Sequence, residues 1–124
     1  MNKKILFVDD EVDICLLIHD GLQRSGFYVD SYADPLIALQ NFKSAFYDLV
    51  LLDIKMPNMN GFDLYEQIRK QDATAKVCFL TAFEVSDEQL TKKMSNMGSH
   101  EKPCFIQKPI SIRELVQRIN ELMM

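Results

Sequence analysis

Apolar runs alternating with segments of helical spacing predict an α/β protein: a doubly wound, five-stranded parallel sheet in the flavodoxin-like order 2-1-3-4-5, with five helices. Three observations carry this expectation. Ile5–Val8, Leu49–Leu52, Val77–Leu80 and Cys104–Ile106 are unbroken apolar runs, as strands covered on both faces require. Tyr28–Ala33 alternates instead and carries Asp30 and Ser31, which fits an edge strand. Helical segments separate these runs, so right-handed crossovers make the sheet parallel and place helices on both faces.

The helices can be placed in order. The first spans about residues 11–25 and ends near Gly26, a natural residue just past a helix end. Asp34-Pro35 sets an N-cap before a proline at the first helical position of the second. The third runs from about Phe62 to Gln71, with Leu64, Tyr65 and Ile68 on one face. The fourth opens at Ser86, where Ser86 and Gln89 have capping-box spacing, and its apolar stripe is thin: Leu90, Met94 and Met97. The last opens with a second capping box, Ser111 and Glu114, and buries Ile112, Leu115, Val116, Ile119 and Leu122. Most loops are short, residues 98–103 being the exception, and the chain reads as one domain over residues 1–124.

Composition removes several function classes. An apolar content of 48% with 26% charged residues belongs to a globular protein rather than a disordered one. The net charge of −4 and the scatter of the 14 basic residues speak against a nucleic-acid surface. The basic start followed by Ile5–Val8 stops at Asp9-Asp10-Glu11, too short for a secretion signal, and no apolar run is long enough to span a membrane. A cytoplasmic location is expected. Cys15, Cys78 and Cys104 are odd in number, lack CxxC spacing and sit among apolar neighbours, so reduced core thiols are expected. His19 and His100 are too far apart in sequence to suggest a zinc pair.

In doubly wound sheets, ligands bind beyond the carboxyl ends of the strands. Those ends carry Asp9, Asp10 and Glu11 after the first strand, Asp53 after the third, Thr81 after the fourth and Lys108 after the fifth. Each has a bland reading: solvated loop acids, a helix cap at Thr81, a surface turn at Lys108-Pro109. Their coincidence at four strand ends favours a site. Packed carboxylates resist joint ionisation unless a cation sits among them, and hard oxygen donors suit Mg²⁺, with Mn²⁺ able to substitute. A carboxylate can attack phosphorus to give an acyl phosphate, while a cation, a hydroxyl and an ammonium hold the transferring oxygens.

Asp9-Asp10, the run Asp53-Ile54-Lys55-Met56-Pro57-Asn58-Met59-Asn60-Gly61, Thr81-Ala82 and Lys108-Pro109 resemble response-regulator receiver domains of the chemotaxis type, over essentially the whole chain. The resemblance implies Asp53 as phosphoacceptor. It implies Asp10, Asp53 and the backbone carbonyl of Lys55 as metal ligands, with Asp9 acting through a metal-bound water. Thr81 and Ala82 lie where the family contacts the phosphoryl group, Lys108 would pair with it, and Phe105 falls at a switching aromatic. The implied partners are a sensor histidine kinase or phosphotransfer protein and a downstream protein target on the face of the fourth helix, fifth strand and last helix. A homodimer is compatible with this reading; nucleic acid and membrane are not expected.

Two features depart from the family or tune it. The stretch from Thr81 to Lys108 is a few residues longer than the family needs, with the excess near Gly98–Pro103, either an altered output surface or a tolerated insertion. Lys55 and Phe83 flank the acceptor and Thr81 by two residues, where bulk obstructs water, so slow self-dephosphorylation is expected. A phosphatase with an Asp nucleophile wants a second Asp where Lys55 stands, and Asp9-Asp10-Glu11 would repel a flavin phosphate. The remaining alternative is a receiver-like interaction domain that works without phosphorylation.

Overall fold

In a computed structural model, the structure describes residues 2–82, Lys92, Ser95 and residues 104–123. The described elements are β1 (Lys4–Val8), α1 (Val12–Arg24), β2 (Tyr28–Tyr32), α2 (Pro35–Gln40), β3 (Leu49–Asp53), α3 (Gly61–Gln71), β4 (Val77–Thr81), β5 (Phe105–Gln107) and α4 (Ile112–Leu122). The five strands form one parallel sheet in the order β2-β1-β3-β4-β5, as the sequence predicts. Four helices lie among the described residues. The expected fourth helix, from Ser86, falls outside them except at Lys92 and Ser95, as do the loop 98–103 and Phe83.

Side-chain alternation splits the interior into two cores. On one face Ile5, Phe7, Leu49, Leu51, Cys78 and Leu80 pack with Cys15, Ile18 and Leu22 of α1 and Leu115 and Ile119 of α4. On the other, Leu6, Val8, Val50, Leu52 and Phe79 meet Ala38 of α2 and Leu64, Tyr65 and Ile68 of α3. β1 and β3 lie inside the sheet, so Ile5–Val8 and Leu49–Leu52 are wholly buried, which is why both read as continuous apolar runs. Each such side chain contributes roughly 1.5–3 kcal/mol on burial. α1 and α4 approach closely at Gly21, where a Cβ would lie 2.6 Å from Ile112 Cδ1.

The caps explain where helices start. Asp34 Oδ1 accepts from the Leu36 N–H at 2.8 Å and Pro35 fills the first position of α2, as expected. Of the Ser111 capping box, half forms: Ser111 Oγ accepts from the Glu114 N–H at 3.1 Å, while the Glu114 carboxylate meets the Ser111 hydroxyl rather than its backbone. The full box belongs to α3, where Asn60 Oδ1 accepts from the Asp63 N–H at 2.9 Å and Asp63 returns to the Asn60 N–H. α3 therefore starts at Gly61, one residue before the expected Phe62.

The cysteine expectation needs correction. Cys78 and Cys104 are joined by a disulfide, and only Cys15 is a free, buried thiol. Apolar neighbours in the sequence did not reveal that β4 and β5 bring these two residues side by side.

Gly61 ties α3 to the end of β3. Its N–H donates to the Ile54 carbonyl at 2.8 Å, and a Cβ here would stand 2.3 Å from the Asp53 carbonyl oxygen and 2.9 Å from Ile54 Cα. Both obstacles are backbone, so they cannot rotate away. Gly61→Ala is expected to lower stability by about 2–4 kcal/mol, read as a shifted urea midpoint at unchanged slope. An unshifted midpoint would show that the loop after Asp53 yields freely.

Candidate functional site

Strand order reverses between β1 and β3, and the crevice of a doubly wound sheet opens there, beyond the carboxyl ends. Asp9 and Asp10 directly follow β1, and Asp53 is the last residue of β3. One carboxylate oxygen from each of the three can lie within 4.8 Å of the others. Asp9 and Asp53 are buried, and Asp10 is half-buried.

Asp9 is held at both oxygens. Its Oδ1 accepts from the Glu11 N–H at 3.0 Å, and its Oδ2 accepts from Lys108 Nζ at 2.5 Å. The same ammonium lies 3.5 Å from Asp53 Oδ1. β5 delivers Lys108 to this point: it pairs with β4 from Phe79↔Phe105 to Thr81↔Gln107, and the Lys108 N–H then donates to the Thr81 carbonyl at 2.7 Å. Thr81 ends β4 wholly buried. The strand ends singled out in the sequence thus converge on one rim.

The electrostatics follow from crowding. Burial, then the Asp9 charge, pushes the Asp53 carboxyl up to about 6, with Lys108 only partly offsetting them. Burial alone would depress the Lys108 ammonium, but its hydrogen bond to Asp9 and the charges of Asp9 and Asp53 hold it above the usual lysine value. The ammonium pairs with Asp9 and Asp53 but not Asp10, so with all three carboxylates ionised the cluster carries an excess of negative charge that a divalent cation would offset. A cluster of hard oxygen donors, one of them kept from ionising at its ordinary pH, fits Mg²⁺.

The cleft above these acids measures about 520 Å³ and is bordered by Asp10, Glu11, Asp53, Lys55, Ala82 and Lys108. Lys55 and Ala82 are exposed at its edge. Phe105 is half-buried and packs against the core on the α3 side. Phe83 lies outside the described residues. Glu11, placed by the sequence at the first strand's end but given no role there, borders both this cleft and a second, apolar groove of about 490 Å³ between α1 and the β5–α4 connection. Its place directly after the acid pair at a strand end was the available signal. Leu17, in the groove's lining, is 64% exposed, and Val12 and Leu16 of the same helix are 57% and 62% exposed.

Fold and site together define an α/β domain whose sheet crevice gathers a carboxylate cluster around one lysine. The response regulator receiver domain model matches residues 5–120, and the chain belongs to that family, a class of signalling domains. It is 34% identical to the alkaline phosphatase synthesis transcriptional regulatory protein PhoP of Bacillus subtilis over 99% of this chain and 49% of that protein. It is 32% identical to sporulation initiation phosphotransferase F of the same organism, covering 95% and 94% of the two chains. Among solved structures, the CheX-CheY-BeF3-Mg²⁺ complex from Borrelia burgdorferi superposes with a TM-score of 0.80 at 29% identity, covering 98% of this chain and 90% of that one. The chain spans about half the length of several of the curated relatives it matches, PhoP among them.

Proposed function

We propose that this receiver domain accepts a phosphoryl group on Asp53 from a phosphohistidine of a sensor histidine kinase or phosphotransfer protein, in a Mg²⁺-dependent reaction, and answers by reshaping a protein-interaction face. The observation that carries this reading is the meeting of Asp9, Asp10 and Asp53 within 4.8 Å, with Lys108 bridging Asp9 and Asp53. The Mg²⁺ in the name of the Borrelia complex and the phosphotransferase named among the relatives support it. The domain is read as one cytoplasmic module over residues 1–124, with a fifth helix from Ser86 completing the fold.

Asp10, Asp53 and the Lys55 carbonyl would hold Mg²⁺ or Mn²⁺, with Asp9 acting through a bound water. When present, the cation screens the negative charge that builds on the phosphoryl oxygens. An Asp53 oxygen attacks phosphorus; the new O–P bond forms as the donor's N–P bond breaks, and the imidazole leaves with its electron pair. Lys108 turns from Asp53 to the phosphoryl oxygens, and the Thr81 hydroxyl donates to another. Each charge-assisted hydrogen bond gained contributes about 1.5–3 kcal/mol, so two can shift a two-state equilibrium by ~100-fold or more. Movement of Thr81 leaves space for Phe105 to turn into, which changes the surface beside β5. The apolar groove, lined in part by the exposed Leu17, shares Glu11, Ala82 and Lys108 with the cleft, where a donor must dock to bring its phosphohistidine to Asp53.

The deciding experiment is intact mass after incubation with acetyl phosphate and Mg²⁺. The expected result is the gain of one phosphoryl group, absent in EDTA. No gain by the folded protein leaves an interaction domain that works without phosphate. Lys55 borders the cleft, where with Phe83 it would obstruct water and protect an acyl phosphate. Lys55→Ala should shorten its lifetime by about threefold or more, ~0.7 kcal/mol of barrier, measured as loss of the phosphorylated mass with time. An unchanged lifetime would rule out obstruction by Lys55.

A further inference from the structure

The Cys78–Cys104 disulfide has no part in the proposed chemistry, yet it joins the two strands that deliver Thr81 and Lys108. β4 and β5 pair with Phe79 opposite Phe105, so one step back Cys78 stands opposite Cys104, their Cα atoms 4.7 Å apart. That is the ordinary spacing of neighbouring strands and within what a disulfide accepts. The bond closes a loop of sequence separation 26.

Among the described residues, β5 is three residues long, lies at the sheet edge with β4 as its strand neighbour, and buries only Ile106 completely, so its ladder to β4 is short. Cys104 immediately precedes Phe105, and the strand leads straight into Lys108. Cys78 lies three residues before Thr81, wholly buried in the α1–α4 core, whereas Cys104 is half-buried at its margin.

We propose that Cys78 and Cys104 are a dithiol–disulfide couple whose redox state sets how firmly β5, with Phe105 and Lys108, is held against β4. The effect on phosphoryl uptake rests on the phosphoacceptor reading above; the couple itself does not. The reductant is a dithiol. Its thiolate attacks Cys104 Sγ, which belongs to the less buried residue, forming a mixed disulfide as the Cys78–Cys104 bond breaks. Cys78 leaves as a thiolate and takes a proton. The second thiol of the reductant then closes its own disulfide and releases Cys104, so two electrons and two protons pass to the protein. A disulfide oxidant reverses the sequence. In a reducing compartment such a pair is transient and sensing rather than a permanent staple.

The test uses the full chain equilibrated with reduced or oxidised dithiothreitol. Iodoacetamide in denaturant should add one adduct to the oxidised protein, at Cys15, and three to the reduced one. Reduction should lower Tm by about 10 °C, as expected for opening a loop of this size in a domain of this length. A Cys78→Ala, Cys104→Ala double variant should lose that dependence on dithiothreitol; Cys104→Ser, which touches only the less buried sulfur, serves if the double variant does not fold. Uptake of phosphoryl from acetyl phosphate should differ by about threefold or more between the redox forms of the parent, and not in the variant. Three adducts under both conditions, or a Tm indifferent to reduction, would overturn the couple. Equal uptake rates in the two forms would overturn its link to the pocket. Absence of uptake in both forms, with the adduct count and Tm shift intact, would instead sink the phosphoacceptor reading and uphold the couple.

Discussion

Replacing Asp53 with Asn abolishes phosphoryl uptake from acetyl phosphate and, in the absence of Mg²⁺, makes the domain more stable. Both effects come from one carboxylate. Uptake ends because the amide nitrogen and oxygen lack the charge to attack phosphorus and to help hold a cation. Stability rises because Asp53 is buried beside Asp9, which pushes its carboxyl up to about 6 from an ordinary 3.8. A folded-state value above the unfolded one means that the folded protein binds the proton more tightly. Stability is therefore complete below the unfolded value and falls as pH rises through the window from about 4 to about 6, a loss of roughly 1–3 kcal/mol by neutrality. An amide does not ionise and escapes this loss. Urea titrations at pH 7 should show Asp53→Asn more stable by about 1–3 kcal/mol, with the gap closing toward pH 4. Mg²⁺ should narrow the gap at pH 7 by stabilising the parent more than the variant. Equal stabilities at pH 7 without the cation would mean that the acidic cluster stores no repulsion, and the case for a cation there would lose its physical basis.

The same cluster shows why much of this protein was legible in its sequence. Strands buried on both faces leave unbroken apolar runs, and each run ends where the backbone emerges at the sheet's carboxyl edge. The residue that follows a run, Asp9 or Lys108, or closes it, Asp53 or Thr81, is thereby placed on the rim by the pattern alone. Edge strands gave weaker signals. β2 announced itself by Asp30 and Ser31, but β5 is three residues long and was read one residue early, from Cys104 instead of Phe105. The sequence could not show that Cys78 and Cys104 become cross-strand neighbours, because that depends on the register between β4 and β5, set across a connection of more than 20 residues. The α3 capping box at Asn60 and Asp63 was within reach but overlooked, since Gly61 reads more readily as a turn than as a first helical residue. Glu11 was hidden for a different reason. Its position next to the acid pair is visible, but its place between a polar cleft and an apolar groove exists only once α1 and the β5–α4 connection are packed together.

Lys108→Met should destabilise the metal-free domain and tighten its grip on Mg²⁺. The ammonium lies 2.5 Å from Asp9 Oδ2 and 3.5 Å from Asp53 Oδ1, with only 11% of its side chain exposed. Methionine keeps much of the apolar stem's volume, so the change is chiefly one of charge. Without it, buried Asp9 and Asp53 lose their shared counter-charge, at an expected loss of about 3 kcal/mol. A divalent cation entering the parent must work against a positive charge already among its ligands; in the variant it replaces the missing one. Mg²⁺ affinity, from the rise in Tm with cation concentration, should therefore increase by about tenfold or more. Asp53→Asn and Lys108→Met should also be coupled. Asp53→Asn removes one of the acids that Lys108 neutralises, so the penalty for Lys108→Met should shrink in that background by about 1 kcal/mol or more, since residues in direct contact are not additive. If Lys108→Met weakens Mg²⁺ binding, or costs the same with Asp53 or Asn at that position, the lysine is a structural prop of β5 and not the resident counter-ion of the acidic cluster.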